Sequence, residues 1–191
     1  MSDEMKKVME ALKKAVELAK KNNDDEVARE IERAAKEIVE ALRENNSDEM
    51  AKVMLALAKA VLLAAKNNDD EVAREIARAA AEIVEALREN NSDEMAKVML
   101  ALAKAVLLAA KNNDDEVARE IARAAAEIVE ALRENNSDEM AKKMLELAKR
   151  VLDAAKNNDD ETAREIARQA AEEVEADREN NSWLEHHHHH H

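Results

Sequence analysis

Three groupings of side chains in this 191-residue sequence could do chemistry, and each recurs along the chain. Met50 and Met54, one helical turn apart, are polarizable thioethers of the kind that line adaptable peptide-binding grooves. Asp69, Asp70 and Glu71 place three carboxylates in succession, a superficial metal site. Lys52, Lys59 and Lys66, seven residues apart, form a cationic line that could draw an acidic partner to one helix face. Each grouping also has a plainer reading, which is the expectation in all three cases. The methionine stripe is unchanged in every copy and fits core filling. The acids lack the spaced oxygen ligands and the glycine of an EF-hand loop, and fit the first turn of a helix. The lysines stand without aromatic or arginine anchors and fit a solvated face. The expected site residues are therefore none for catalysis, none for a cofactor and none for a metal, and no cofactor is expected.

Missing residue types narrow the chemistry further. The chain holds no Gly, Pro, Cys, Tyr or Phe, and its single Trp, Trp183, lies beside a terminal run of six His. Without Cys there is no disulfide framework, no thiolate metal site and no thiol nucleophile. Without Gly there is no phosphate-cradling loop, dinucleotide fingerprint or nucleophile elbow, because those turns need a backbone free of Cβ. No His lies outside residues 186–191, and no carboxylate sits on an apolar stripe, so no acid, base or nucleophile has an evident means of activation.

The elements that position these residues follow from a repeat. Ser-Asp-Glu-Met begins at Ser2, Ser47, Ser92 and Ser137, and Asn-Asn-Asp-Asp-Glu at Asn22, Asn67, Asn112 and Asn157, a constant period of 45. The copies at 47–91 and 92–136 are identical at all 45 positions. Natural duplications diverge, so identity of this degree points to a unit that was copied by design. Within each unit, the Asn-Asn-Ser and Asn-Asn-Asp triplets read as the same punctuation used twice: a loop, a Ser or Asp N-cap, then acids that complement the helix dipole. Asn tolerates the left-handed conformation that ends many helices, so the chain can turn without glycine. The spacing predicts helix A over roughly 48–66 and helix B over roughly 70–89, each about 30 Å long.

Helix A is apolar on three sides. At about 100° per residue, Met50, Met54, Leu57, Val61 and Ala64 form one stripe and Ala51, Leu55, Ala58, Leu62 and Ala65 a second. Val53, Ala56, Ala60 and Leu63 form a third, leaving the lysine line outside. Helix B has one broad apolar face headed by Val72, Ile76, Ile83, Val84 and Leu87. On its outer side Arg78 is placed to pair with Glu82, and Glu85 with Arg88. The end copies assign these faces. In the first, the second stripe becomes Lys6, Glu10, Lys13, Glu17 and Lys20, and helix B gains Glu32 and Lys36; these are the sites expected to touch a preceding repeat. In the last, the third stripe becomes Lys143, Glu146, Arg150 and Asp153, and helix B gains Thr162, Gln169, Glu173 and Asp177; these face a following repeat. The first stripe is kept throughout and is expected to lie between helices A and B of one repeat.

The expected fold is all-α: an αα-solenoid, of either hand, built from four helix-loop-helix repeats and eight helices. One domain covers 1–181, with repeats 2–46, 47–91, 92–136 and 137–181, and 182–191 is read as a linker and His-tag. Polar caps at both ends predict a monomer, since unmodified ends would stack head to tail without closing. High helix propensity, capped ends and local contacts predict fast folding and a melt above the ordinary mesophile range.

The copied unit, its Asn-Asn-Ser and Asn-Asn-Asp loops, the edited caps and the C-terminal histidines together resemble a de novo designed helical repeat protein, over residues 2–181. The aromatics and proline of tetratricopeptide repeats are missing, as is the Thr-Pro-Leu-His signature of ankyrin repeats. HEAT and armadillo repeats are of compatible length but rarely so uniform. The resemblance implies an idealised scaffold, generally monomeric, with no catalytic or ligand residues to carry over. A formal net charge of -14 opposes nucleic acid and anionic membranes as partners, and no partner is expected. No segment can span a bilayer, and no targeting signal or natural localisation is expected, only soluble recombinant expression. Two other classes remain. A peptide- or protein-binding solenoid would show repeat-specific surface changes, which the central copies lack. A lipid-binding protein of exchangeable-apolipoprotein type would carry Pro punctuation, aromatics on the apolar face and a basic rim.

Overall fold

The computed structural model describes residues 2–188 apart from 46, 91 and 136, with side chains described through residue 180. Among the described residues there are eight α-helices and no strand: α1 Asp3–Lys21, α2 Asp25–Glu44, α3 Asp48–Lys66, α4 Asp70–Glu89, α5 Asp93–Lys111, α6 Asp115–Glu134, α7 Asp138–Lys156 and α8 Asp160–His188. The odd-numbered helices are the A helices and the even-numbered ones the B helices. In the two central repeats, both bounds of both helices fall where the capping residues predict.

Local chemistry sets those bounds. The hydroxyls of Ser2, Ser47, Ser92 and Ser137 accept the free N–H of Met5, Met50, Met95 and Met140 at 3.2, 3.4, 3.4 and 3.4 Å, each satisfying an orphan donor of an A helix. The A helices end in a left-handed residue: Asn23, Asn68, Asn113 and Asn158 have φ of 60, 62, 63 and 62°. The Asp69 N–H donates to the Ala64 carbonyl at 2.9 Å and the Asn68 N–H to Ala65 at 3.1 Å, the paired bonds of a Schellman turn. The second loop is built differently. At the first Asn of the triplet, where Asn67 and Asn112 stay near-helical at φ -83°, Asn45 and Asn90 are extended at φ -121 and -130°, and the Ser47 N–H donates to the Asn45 carbonyl at 2.9 Å. The two triplets are thus not one punctuation mark used twice; Ser and Asp after the same Asn-Asn pair lead to different backbones. The Asp caps are also uneven. Asp114 and Asp159 accept from Val117 and Thr162 N–H at 3.4 and 3.3 Å, whereas Asp24 and Asp69 make no such bond.

The A helices α1, α3, α5 and α7 pack side by side in one layer, and the B helices α2, α4, α6 and α8 in a second. Each A helix also packs along the B helix of its own repeat, while a B helix only grazes the next A helix. A central A helix therefore has three neighbours, matching its three apolar sides. One continuous core runs between the layers, and Leu12, Leu57, Leu102, Ile31, Ile76 and Ile121 are fully buried in it. Each such side chain contributes about 1.5–3 kcal/mol relative to an exposed one. Ala at 12 of 45 positions in the central unit lets the axes approach to about 8–10 Å.

Burial follows the cap edits. Ala51 and Ala58 are buried in α3, while Lys6 and Lys13 stand exposed at the same places in α1. Val53, Ala56 and Ala60 are buried in α3, while Lys143, Glu146 and Arg150 are exposed in α7. The stripe kept unchanged is less private than its constancy suggests. Met9 and Met140 are only half-buried, so neighbouring repeats, and not the partner helix alone, complete the cover over Met54 and Met99.

The last helix departs from expectation. α8 runs on through His188, past the Asn180-Asn181-Ser182 triplet whose counterparts separate helices, so the segment read as linker and His-tag is helical as far as 188. Neither Asn nor Ser forbids the α-conformation. In the interior copies the chain reverses because the next Asp-Glu turn opens another apolar helix that docks on the A layer; Trp183-Leu184-Glu185 and the His run supply no such helix. Residues 189–191 of the His run lie outside the described residues.

Candidate functional site

The three sequence-derived candidates land in three different places. Met50 and Met54 are 2% and 1% exposed, and Met95 and Met99 are likewise buried, so these thioethers fill the core, while Met9, the counterpart of Met54, faces a groove on the first repeat. The acidic triplet is dispersed. Asp70 accepts a hydrogen bond from the Asn22 side-chain amide of the preceding repeat at 3.4 Å, and Glu71 pairs with Arg74 on its own helix. Among the described residues no three His, Cys, Asp or Glu side chains converge on a point where a metal could sit. Lys52, Lys59 and Lys66 are exposed on the outer side of the A layer.

What the structure brings together instead is a set of contacts between repeats on the B layer. Glu30, 14% exposed, accepts from Arg74 at 3.2 Å and from Arg78. Glu75 receives Arg119 at 3.5 Å and Arg123, and Glu120 receives Arg164 at 3.2 Å and Arg168. A second row joins Arg88 to Glu44 at 2.5 Å, Arg133 to Glu89 at 2.6 Å and Arg178 to Glu134 at 3.1 Å. At the loop edge the Asn67 and Asn112 amides donate to Asp115 and Asp160 at 3.4 and 3.3 Å. The pairing of Glu85 with Arg88 forms as expected, at 3.1 Å. The expected Arg78–Glu82 pair does not form, because Glu30 of the preceding repeat presents a less solvated carboxylate and takes the guanidinium. Sequence reasoning missed this ladder. Its signal was present as separations of 44 and 48 between Glu30 and the two arginines, one period less one residue and one period plus three.

Electrostatics reflects the same arrangement. Burial pushes the Glu30 and Glu120 carboxyls up, but the two arginines on each outweigh it and hold them below the usual range. Burial raises Asp70, Asp115 and Asp160; the Asn bond opposes the rise, and neighbouring aspartates at the loop edge add to it. Glu82, exposed as a residue, is raised by partial desolvation of its carboxyl and by Glu130 across the repeat boundary, against the lowering charge of Arg78. Solvent-facing ion pairs contribute about 0–1 kcal/mol each, so the ladder sets the register between B helices more than it holds them together.

Shallow grooves lie between successive B helices. One of about 410 Å³ is lined by Glu30, Arg33, Glu37, Arg78 and Glu82 over Ala34 and Ala81. A larger groove, about 750 Å³, lies instead between α1 and α2 of the first repeat, over Met9, Leu12, Val16, Ala35 and Val39. In the second repeat the same positions, Met54, Leu57, Val61, Ala80 and Val84, are buried under the preceding hairpin. The groove is thus the place a preceding repeat would occupy, edged here by Glu10, Lys13, Glu32 and Lys36. These surfaces order one repeat upon the next.

Two stacked helical layers, a copied hairpin and polar terminal faces define a capped αα-solenoid. No family model matches the chain, and no curated protein matches it. Among solved structures, the crystal structure of the de novo designed helical repeat protein DHR8 is 99% identical, over 92% of this chain and 99% of that one, with a TM-score of 0.77. The crystal structure of the designed helical repeat protein DHR18 is 23% identical over 91% of this chain and 95% of that one; its TM-score of 0.57 bears on the fold alone. The chain belongs to the de novo designed helical repeat proteins, and it is a designed structural scaffold.

Proposed function

We propose that this scaffold is a monomer whose one task is to hold a repeat geometry, without a catalytic centre, a cofactor or a dedicated partner. The observation that carries the reading is the identity of the two central repeats on their outer as well as their inner faces. A surface made to recognise one ligand would differ between copies, and these do not. The charged edits supporting the monomer reading stand exposed at both ends of the stack. In this reading residues 186–191 serve purification after recombinant expression in soluble form, and idealised helices give a melt above about 65 °C, the upper end of the mesophile range. Multi-angle light scattering over a wide concentration range tests the state of association: one species near 21.3 kDa is expected. Growth of mass with concentration would refute the monomer. Specific, saturable capture of one peptide or protein would favour the binding-module reading instead.

A further inference from the structure

The net charge of -14 conceals a segregation of charge between the two layers. On the outer side of α3, Lys52, Lys59 and Lys66 are exposed, and their counterparts in α1, α5 and α7 repeat the line on every A helix. Seven residues of helix separate successive lysines by about 10 Å, and neighbouring axes lie about 8–10 Å apart, so the lysines form a two-dimensional grid. None of the twelve has a carboxylate partner among the described residues, where the one lysine ion pair is Lys143 with Glu173. Half-buried Leu55 and Leu63 flank Lys59 at about 40° to either side, and Leu100 and Leu108 flank Lys104 likewise. Carboxylates return only at the margins: Asp48 and its counterparts at one edge, Glu10 and Glu17 on α1, Glu146 and Asp153 on α7.

We propose that the outer face of the A layer, centred on α3 and α5, is a docking surface for a planar anionic lipid surface. Charge complementarity selects an anionic partner, and the leucines among the lysines favour a bilayer over a nucleic acid, whose backbone offers nothing apolar to meet them. The objection from net charge is met by distance. Two helical layers put the outer B-layer carboxylates about 20 Å behind the lysines, more than two Debye lengths at physiological ionic strength, where that length is about 8 Å. At about 0.01 M salt it grows to about 30 Å and the whole negative charge is felt; at about 1 M it falls to about 3 Å and the lysines too are screened. Binding therefore passes through a maximum at intermediate salt.

The test is co-sedimentation with phosphatidylcholine vesicles, with and without phosphatidylserine, over a salt series. Pelleting is expected only with phosphatidylserine and most strongly near physiological salt. Removing a surface lysine lowers the partition coefficient about five-fold, so K59Q/K104Q lowers it about 25-fold. E82Q/E127Q, on the far layer, changes net charge by as much in the other direction and leaves partitioning at physiological salt nearly unchanged. Absence of pelleting at every salt concentration, equal pelleting with phosphatidylcholine alone, or equal and opposite shifts in the two variants would overturn the proposal. So would binding to duplex DNA, abolished by K59Q/K104Q, in a protein that leaves the vesicles untouched.

Discussion

Two loops that share an Asn-Asn pair should respond differently to Ala, placed at the second Asn of one and at the first Asn of the other. Asn113 and Asn158 have φ of 63 and 62°, whereas Asn45 and Asn90 are extended at -121 and -130°. A left-handed conformation costs a residue with a Cβ about 1–2 kcal/mol, and Asn recovers part of that through local hydrogen bonding. Ala recovers none, so each Asn→Ala at a left-handed site should cost about 1 kcal/mol, and N113A/N158A about 2 kcal/mol together. Extended backbone is open to Ala, and N45A/N90A should stay within about 0.5 kcal/mol of the parent. With a guanidinium m-value of about 5 kcal/mol/M, the midpoint falls by about 0.4 M in the first variant and by about 0.1 M or less in the second. A glycine pair adds a sign. N113G/N158G should be neutral or stabilising because Gly takes positive φ freely, while N45G/N90G should lose stability by enlarging the unfolded ensemble. Neither Asn113 nor Asn158 makes a described side-chain hydrogen bond, so the comparison reads backbone conformation. Equal midpoint shifts for the two Ala pairs would refute the argument.

Glu75→Ala should cost about 1 kcal/mol in denaturant unfolding, because it removes two ion pairs across the joint and leaves Arg119 with Glu116 alone, while Glu165→Ala, which has no following repeat to bridge, should cost nothing measurable. Acid titration of the unfolding midpoint should show a rise before a fall. Asp70, Asp115, Asp160 and Glu82 have raised values, so the folded state binds their protons more tightly and gains stability as pH drops through those values; Glu30 and Glu120 are depressed, and their contribution is lost only at lower pH, through the folded values. A midpoint that falls steadily from neutrality would contradict those directions. Restoring the interior stripes, with K6A/E10L/K13A/E17L/K20A on α1 and K143V/E146A/R150A/D153L on α7, should produce head-to-tail polymers visible by light scattering. A chain still monomeric at high concentration would show that the remaining edits on α2 and α8 suffice as caps.

Helix bounds and packing faces were legible because both are written in short-range terms. Ser47 and Asp69 mark starts, the period of apolar residues marks faces, and the edits at Lys6 and Lys143 mark which faces meet neighbours. The route of Arg78 to Glu30 was not legible, since it depends on how far one B helix slides along the next, a quantity fixed by the fit of Ala79, Ala80 and Ala81 into the facing surface. The two loop geometries were hidden behind a shared Asn-Asn pair for a similar reason: each backbone is selected by the angle at which the next helix docks. The continuation of α8 shows the converse, a triplet that ends a helix only where another follows to pull the chain round. Curvature is the least legible feature. It is the sum of small rotations at three joints, each set by how side chains fit between repeats. Among the candidate sites, the burial of Met50 and Met54 was readable from their constancy, whereas the lysine grid needed four helices side by side to become a surface.

The ladder at separations of 44 and 48 also makes the joints interchangeable. Because residues 47–91 and 92–136 are identical, Glu30 would meet Arg119 and Arg123 with the same geometry it shows to Arg74 and Arg78, and Asn22 would meet Asp115 as it meets Asp70. Excising one central copy should therefore leave a shorter protein with every remaining joint intact. The same degeneracy acts during refolding. A hairpin of one molecule can satisfy the ladder of another as well as its own, so concentrated refolding should yield exchanged dimers whose contacts are locally indistinguishable from the native ones, and only the caps tell the chain where its stack ends.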